Sequence, residues 1–186
     1  KEKKIKKEVQ EHSVVYMAID GKLQGLICID DPVREEAKYV IEELKSLGIE
    51  NVIMLTGDSE SGAKSSAEAL GITEYRSQVL PEDKSRIVEE LKAEGKTVIM
   101  VGDGINDSPA LAAADVSVSM KNSSDIAREV ADISLLSDDL NDLITLRKLS
   151  TGMFDKINTN YHRIVAVNGT LLVLGVLGVI QPSTSS

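Results

Sequence analysis

The sequence predicts an α/β protein built on a doubly wound parallel sheet, incomplete within these residues and followed by a helical and then an uncharged C-terminal segment. Three observations carry this. Short apolar runs recur at 52–55, 75–79, 97–101, 116–119 and 133–136. Helical patterns of about 10–15 residues separate most of them, and strands that are apolar throughout belong to sheets covered on both faces. After Arg163 there is no charged side chain. A sheet of this kind binds its ligands at the carboxyl ends of the strands.

The elements follow in order. Residues 1–13 are Lys/Glu-rich without a sustained apolar face, and read as a charged linker or the cut end of a preceding domain. Residues 14–19 and 23–29 are β-rich runs around Asp20-Gly21, a hairpin signal. From Asp31-Pro32 the period turns helical: Val33, Ala37, Val40, Ile41, Leu44 and Leu47 share a face, Pro32 suits the first helical position and Gly48 the exit. A strand at 52–55 precedes a helix at 61–70 closed by Gly71, and a strand at 75–79 precedes a helix at 81–93 with acids in its first turn. The strand at 97–101 leads to a short helix from Ser108, a strand at 116–119, a helix at 124–130 and a strand at 133–136. The sheet domain thus covers 14–138. Residues 139–163 form a helical connection with Gly152 as its first breaker, residues 164–180 suit a membrane span, and 181–186 are a short tail. A span of 17 residues meets the lower limit of roughly 17–25 for crossing a bilayer. Lys156 and Arg163 precede it, which places residues 1–163 in the cytoplasm by the positive-inside tendency.

Composition removes several function classes. The 186 residues carry 21 basic and 30 acidic side chains, a net charge of −9, with 3% aromatic residues and no Trp. Nucleic-acid binding needs an electropositive footprint and favours stacking platforms, so it is excluded. One cysteine, Cys28, rules out an internal disulfide and a cysteine-cluster zinc site, and reads as a buried core thiol. His12 and His162 have no metal-ligand spacing. The chain starts at Lys1 rather than Met, and is expected to be an excerpt.

The chemistry-bearing residues fall where the sheet puts a site. The strand at 52–55 runs into Thr56-Gly57-Asp58, and the strand at 97–101 into Gly102-Asp103-Gly104-Ile105-Asn106-Asp107-Ser108-Pro109. Pro81-Glu82-Asp83-Lys84 opens a helix between them. Asp103 and Asp107 offer hard carboxylate oxygens for Mg²⁺, which is usually held by one or two carboxylates plus phosphate. Gly102 and Gly104 allow a sharp turn and close approach, and the Ser108-Pro109 helix start offers free N–H groups to an anion. The Thr56 hydroxyl can donate to a phosphoryl oxygen and Lys84 can neutralise its charge, the positioning and electrostatics that phosphoryl transfer demands.

Thr56-Gly57-Asp58, Pro81-Glu82-Asp83-Lys84, the decapeptide GDGINDSPAL at 102–111 and the entry Asp31-Pro32-Val33-Arg34 closely resemble the phosphorylation domain of P-type ATPases, whose fold is haloacid dehalogenase-like. The resemblance runs from about residue 14 to the end. It implies that Asp103 coordinates the catalytic Mg²⁺ with support from Asp107, and that Lys84 stabilises the phosphoryl group. It also implies that Thr56 and Asn106 hydrogen-bond to that group, and that Gly57 and Asp58 shape the approach of ATP. The family's nucleophilic aspartate lies in an Asp-Lys-Thr-Gly motif that this chain lacks. The resemblance puts it upstream of Lys1, in N-terminal domains missing here, so the fragment alone is not expected to form the aspartyl-phosphate.

The uncharged segment so soon after the sheet resembles the heavy-metal-transporting branch, with a multi-pass protein in the cell membrane, in contact with lipid, whose cargo is a cadmium, zinc or cobalt cation, or a copper cation. In that branch a metal-selecting residue follows an asparagine by eight positions; Asn160 and Asn168 have that spacing, so Asn168 is the candidate cargo ligand, or else a helix-packing group beside Gly169, Gly175 and Gly178. Val167-Asn168 matches neither the Tyr-Asn typical of copper transporters nor the Lys typical of zinc transporters. Two alternatives are a free-standing phosphatase of the same fold with Asp20 or Asp30 as nucleophile, and a phosphoacceptor module using Asp30-Asp31. The first lacks Asp-x-Asp spacing, and the second lacks a central acceptor aspartate.

Overall fold

The computed structural model describes residues 13–29 and 32–178. Residues 1–12, Asp30, Asp31, the Cys28 side chain and residues 179–186 lie outside the described residues, and with them the charged-end, core-thiol, acidic-pair and tail readings. The chain divides into two units, residues 1–142 and 143–186.

Strands β1 (Ser13–Ile19) and β2 (Lys22–Ile29) pair antiparallel around the predicted two-residue turn. Asp20 and Gly21 sit at φ 50° and 73°, the left-handed pair whose twist matches a hairpin. Asp20 is thus a turn residue. Val15, Tyr16, Met17 and Ile19 are exposed, so the hairpin leaves apolar side chains open on both faces.

Helix α1 (Ala37–Ser46) begins five residues later than Pro32 implied. Tertiary anchoring outweighs the local signal here: the Arg34 guanidinium Nη1 donates to the Asp138 carbonyl at 2.5 Å, and Ala37 N–H closes a turn onto the Arg34 carbonyl at 3.1 Å. Ala37 and Val40 supply its buried face, and Gly48 (φ 89°) follows its end.

The order of strands and helices then follows the expected alternation, but the strands expected at 75–79 and 133–136 are shorter, Glu74–Arg76 and Ile133–Ser134. The first ends early because Gln78 and Val79 turn to bond the Asp58 and Thr56 carbonyls. Strand β3 (Ile53–Leu55) leads to α2 (Glu60–Leu70), where the Ser59 hydroxyl accepts the Gly62 N–H and Gly71 ends the helix at φ 68°. Strand β4 (Glu74–Arg76) leads to α3 (Pro81–Ala93), which starts at the predicted proline with Glu82 and Asp83 set against the helix dipole. Strand β5 (Ile99–Gly102), a 3-10 turn at Ile105–Asp107, α4 (Ser108–Ala113), β6 (Val116–Ser119), α5 (Asp125–Val130) and β7 (Ile133–Ser134) complete the unit.

Every pairing after the hairpin is parallel, but among the described residues the strands form two ladders, β3-β4 and β5-β6-β7, rather than one continuous sheet. The expected cover on both faces is also incomplete at β5, where Ile99 is 46% and Val101 39% exposed. The buried core draws on several elements. Ala63 and Ala67 of α2, Ala110 of α4 and Ala127 of α5 are buried, and their small side chains let helices approach the strands closely. Val88, Leu111 and Val118 fill the space between, each contributing about 1.5–3 kcal/mol by burial.

A polar clasp ties β6 to β7. One Asp132 carboxylate oxygen accepts the Ser117 main-chain N–H at 2.9 Å and its hydroxyl at 2.8 Å, while Asp132 N–H donates to the Ser117 hydroxyl oxygen at 3.0 Å. The bond from the Ser117 N–H and then that from its hydroxyl hold the Asp132 carboxyl below the ordinary aspartate pKa. A depressed pKa means the clasp contributes fully above the unfolded-state value and is lost as pH falls through the lower, folded value. Thermal melts of the wild type between pH 7 and pH 2 are expected to show a steeper acid-side drop than Asp132→Asn; parallel curves would refute the contribution.

The long helix α6 (Asn141–Val176) passes through Gly152 without a break, against the expectation that this residue ends a first segment. Gly152 has no atom within 4 Å of where a Cβ would lie and needs no unusual backbone angle, so the helix carries it at only a modest propensity cost. The boundary expected at residues 163/164 therefore falls inside one helix. Ile164, Val165, Leu171 and Leu172 are exposed on it. No helix among the described residues is long and apolar enough to cross a membrane.

Candidate functional site

The sequence-predicted residues sit at the carboxyl ends of β3 and β5 and at the start of α3. At the end of β3 the Thr56 hydroxyl donates to Asp58 Oδ2 at 2.8 Å, and Asp58 N–H donates back to Thr56 Oγ1 at 3.1 Å. The turn is tied to the approach of α3: Val79 N–H donates to the Thr56 carbonyl at 3.0 Å, and Gln78 N–H to the Asp58 carbonyl at 2.9 Å. Gln78 accommodates this at φ 53°. Three residues after Gln78, Pro81 opens the helix that carries Lys84, so Thr56-Gly57-Asp58 and Lys84 belong to one connected scaffold.

Lys84 reaches across to the β5 loop. Its Nζ lies 2.6 Å from Asp107 Oδ1, and both side chains are largely buried, 16% and 13% exposed. Asp107 Oδ2 also accepts the Gly104 N–H at 3.2 Å. These two groups are 23 residues apart in sequence, and only the packing of α3 against α4 and its preceding turn brings them together. Lys92, farther along α3, holds the same edge by donating to the Ala113 carbonyl at 2.7 Å and pairing with Asp115 at 3.2 Å. Asp115 in turn accepts the Val98 N–H at 2.9 Å, the bond that chiefly lowers its carboxyl pKa, with Lys92 adding to it.

Gly102 and Gly104 matter for a reason other than a sharp turn. Neither has a positive φ. A Cβ on Gly102 would lie 2.8 Å from Asp107 Cβ, and one on Gly104 3.3 Å from Asp107 Oδ2. The glycines make room for the Asp107 side chain against the loop backbone.

Asp103 and Asn106 are exposed. Among the described residues the Asp103 carboxylate has no protein hydrogen bond, yet its main chain is held: Ser124 N–H donates to the Asp103 carbonyl at 2.9 Å and the Ser123 hydroxyl to the Gly102 carbonyl at 3.4 Å. These two serines were not singled out by sequence, since serine before a helix signals only a cap. The Ser108 hydroxyl, next to Asp107, is buried without a hydrogen-bond partner among the described residues. Asn160 and Asn168 lie on α6 and are both exposed.

Asp103 and Asp107 are the residues of this loop that could hold a Mg²⁺ ion. No three metal-ligating side chains gather among the described residues, which excludes an all-protein cage there. One open carboxylate and one engaged carboxylate in the same loop match a cation that keeps waters and is completed by phosphate oxygens.

Comparison with known proteins agrees with the fold. The family model for haloacid dehalogenase-like hydrolases matches residues 1–115. The chain is 45% identical over 174 residues to a zinc-exporting P-type ATPase of Mycobacterium marinum, and 44% identical over 174 residues to a manganese-exporting P-type ATPase of Mycobacterium leprae. Each match covers 93% of this chain but 24% of the relative, so the chain spans about a quarter of their length. Among solved structures, a zinc-transporting PIB-type ATPase in the E2.Pi state superposes with a TM-score of 0.84 at 32% identity, covering 96% of this chain and 29% of that one. A catalytic CPx-ATPase domain, CopB-B, superposes at 0.61 with 43% identity, covering 72% and 53%. With the family model spanning more than half its length and the parallel α/β core in place, the chain belongs to the haloacid dehalogenase-like hydrolases.

Proposed function

We propose that this chain supplies the Mg²⁺-binding and phosphoryl-stabilising half of the phosphorylation site in an ATP-driven heavy-metal transporter of the P type. The Lys84–Asp107 pair carries the reading: it joins a cation from α3 to a carboxylate of the β5 loop, the same loop that carries the open carboxylate of Asp103. The names of the relatives, exporters of zinc, manganese and copper, support the same class.

Asp103 would ligate Mg²⁺ directly, with Asp107 as its supporting carboxylate. When bound, Mg²⁺ supplies positive charge opposite the phosphoryl oxygens. Lys84 is held in place by Asp107 and presents its ammonium to the same phosphoryl group. The Thr56 hydroxyl, which donates to Asp58 in this structure, turns to a phosphoryl oxygen, and the Asn106 amide adds a second donor. Gly57 and Asp58 bound the path by which ATP enters. The attacking aspartate belongs to an upstream segment, so this chain alone makes no aspartyl-phosphate. Residues 139–163 connect the site to a membrane span at 164–180, with residues 1–163 cytoplasmic and Asn168 a cargo ligand.

The test uses the full-length protein that contains this segment. Asp103→Asn is expected to lower metal-stimulated ATP hydrolysis at least about a hundredfold, with loss of acid-stable phosphoenzyme labelling from ATP. Wild-type turnover and labelling in the variant would overturn the proposal.

A further inference from the structure

We infer that Asn122 and Asp138 are positioning residues for the Asp103 loop, acting through the segment 120–124; this rests on the proposed Mg²⁺ role of Asp103. The Asp103 carboxylate has no protein partner among the described residues, so its aim depends on its main chain. That main chain is held from one side by the Ser124 N–H on the Asp103 carbonyl (2.9 Å) and the Ser123 hydroxyl on the Gly102 carbonyl (3.4 Å). Ser123 is buried, 6% exposed, and its own N–H closes a turn onto the Met120 carbonyl at 3.1 Å.

What holds the segment itself is the turn at 137–139. Lys121 N–H donates to the Ser137 carbonyl at 3.3 Å, and Asn122 N–H donates to Asp138 Oδ1 at 3.0 Å. The Asn122 side-chain amide donates to the second Asp138 oxygen. The carboxylate thus clasps one residue through both its main chain and its side chain, a two-point grip that fixes orientation as well as position. Asp138 is anchored in turn by Arg34, whose guanidinium donates to its carbonyl at 2.5 Å. Hydrogen bonds join Arg34 to Asp138 and Asp138 to Asn122, the main chain carries Asn122 into Ser123 and Ser124, and these two serines bond Gly102 and Asp103. Ser124 also caps α5, accepting the Ala127 N–H at 3.1 Å, so displacing it disturbs a helix start as well as the loop.

Asparagine at 138 keeps the shape but has one acceptor oxygen, and its amide faces the Asn122 amide donor to donor. Reversing the pair, Asn122→Asp with Asp138→Asn, restores both bonds: the main-chain N–H at 122 donates to the amide oxygen at 138, and the amide nitrogen at 138 donates to the carboxylate at 122. Outer partners of metal ligands typically contribute 10–100-fold in affinity, so Asp138→Asn is expected to weaken Mg²⁺ binding by roughly tenfold, at the low end because it acts through two intermediates.

The experiment titrates the 186-residue chain with Mg²⁺ alone, following the amide resonances of the 102–107 loop, and measures hydrogen exchange at the Ser124 amide. Expected are weaker binding and faster Ser124 exchange in Asp138→Asn, both recovered in the reversed pair. Unchanged affinity and exchange overturn the inference, as does lost affinity that the reversed pair fails to recover. Should Asp138→Asn not fold, Asn122→Ser, which keeps the main-chain bond, is expected to shift the same two readouts; no shift overturns the inference. If the wild type itself shows no Mg²⁺-dependent change in the loop, the proposed function fails first, and Ser124 exchange still reports on the clasp.

Discussion

Lys84→Met is expected to lower the thermal midpoint of the chain by on the order of 10 °C. The substitution keeps an unbranched side chain one atom shorter and removes its charge, leaving the Asp107 side chain, 13% exposed in the wild type, beside an apolar group. An ion pair broken at one partner in a buried setting costs about 3–5 kcal/mol; the residual exposure of both groups lets water recover part of this, and about 2–4 kcal/mol is the expected loss. The Gly104 N–H on Asp107 Oδ2 remains and limits the damage. A double-mutant cycle with Asp107→Asn isolates the pair. A coupling energy of about 2 kcal/mol is expected, and a value near zero would mean that the 2.6 Å contact contributes nothing to holding α3 against the β5 loop. Because Lys84 is also the proposed phosphoryl partner, Lys84→Arg is informative in the full-length protein. It keeps the charge but not the compact geometry, and should retain more stability than activity.

Gly102→Ala is the second large effect, and it acts on the same pair from the opposite side. The added methyl would lie 2.8 Å from Asp107 Cβ, 3.2 Å from its Cγ and 3.3 Å from Oδ2. The tightest of these contacts is with Cβ, which the Asp107 backbone fixes and no side-chain rotation can relieve, so the loop backbone must move. Overpacking of this kind costs about 1–3 kcal/mol, and here displacement of Asp107 also loosens its contact with Lys84. The variant is expected to be destabilised, while Gly62→Ala, where a Cβ meets the Ser59 hydroxyl at an ordinary 3.5 Å inside α2, is neutral or slightly stabilising. Denaturant melts of the two variants check this; equal stability would show that the loop yields without cost.

These two predictions mark the limit of what patterning could tell. The order of strands and helices from residue 53 to residue 134 was legible because apolar runs, caps and glycine exits are local signals: Pro81 opens α3, Ser59 caps α2 and Gly71 ends it where expected. The placement of Thr56, Lys84, Asp103 and Asp107 at strand ends and at a helix start followed from the same alternation. The misplaced boundaries are those where a distant group intervenes or a local penalty is small. Arg34 is held by Asp138, 104 residues away, and α1 starts only after that anchor. Gly152 costs a helix too little to stop it once the flanking residues favour it.

The sequence by itself determined the α/β class, the parallel pairing and the residue types at the site, since periodicity, turn chemistry and short motifs depend on neighbours a few residues apart. Only the tertiary structure decided that Lys84 grips Asp107, that Gly102 is glycine to admit the Asp107 side chain rather than to turn, and that the parallel strands among the described residues form two separate sheets, with Ile99 and Val101 exposed. It also decided which exposed polar residues matter, because Asn122 and Asp138 look like ordinary surface positions until the fold brings them together. The physical reason is common to all of these. Each depends on a contact of a few ångströms between groups far apart in sequence, and such contacts exist only once the core has set the distances.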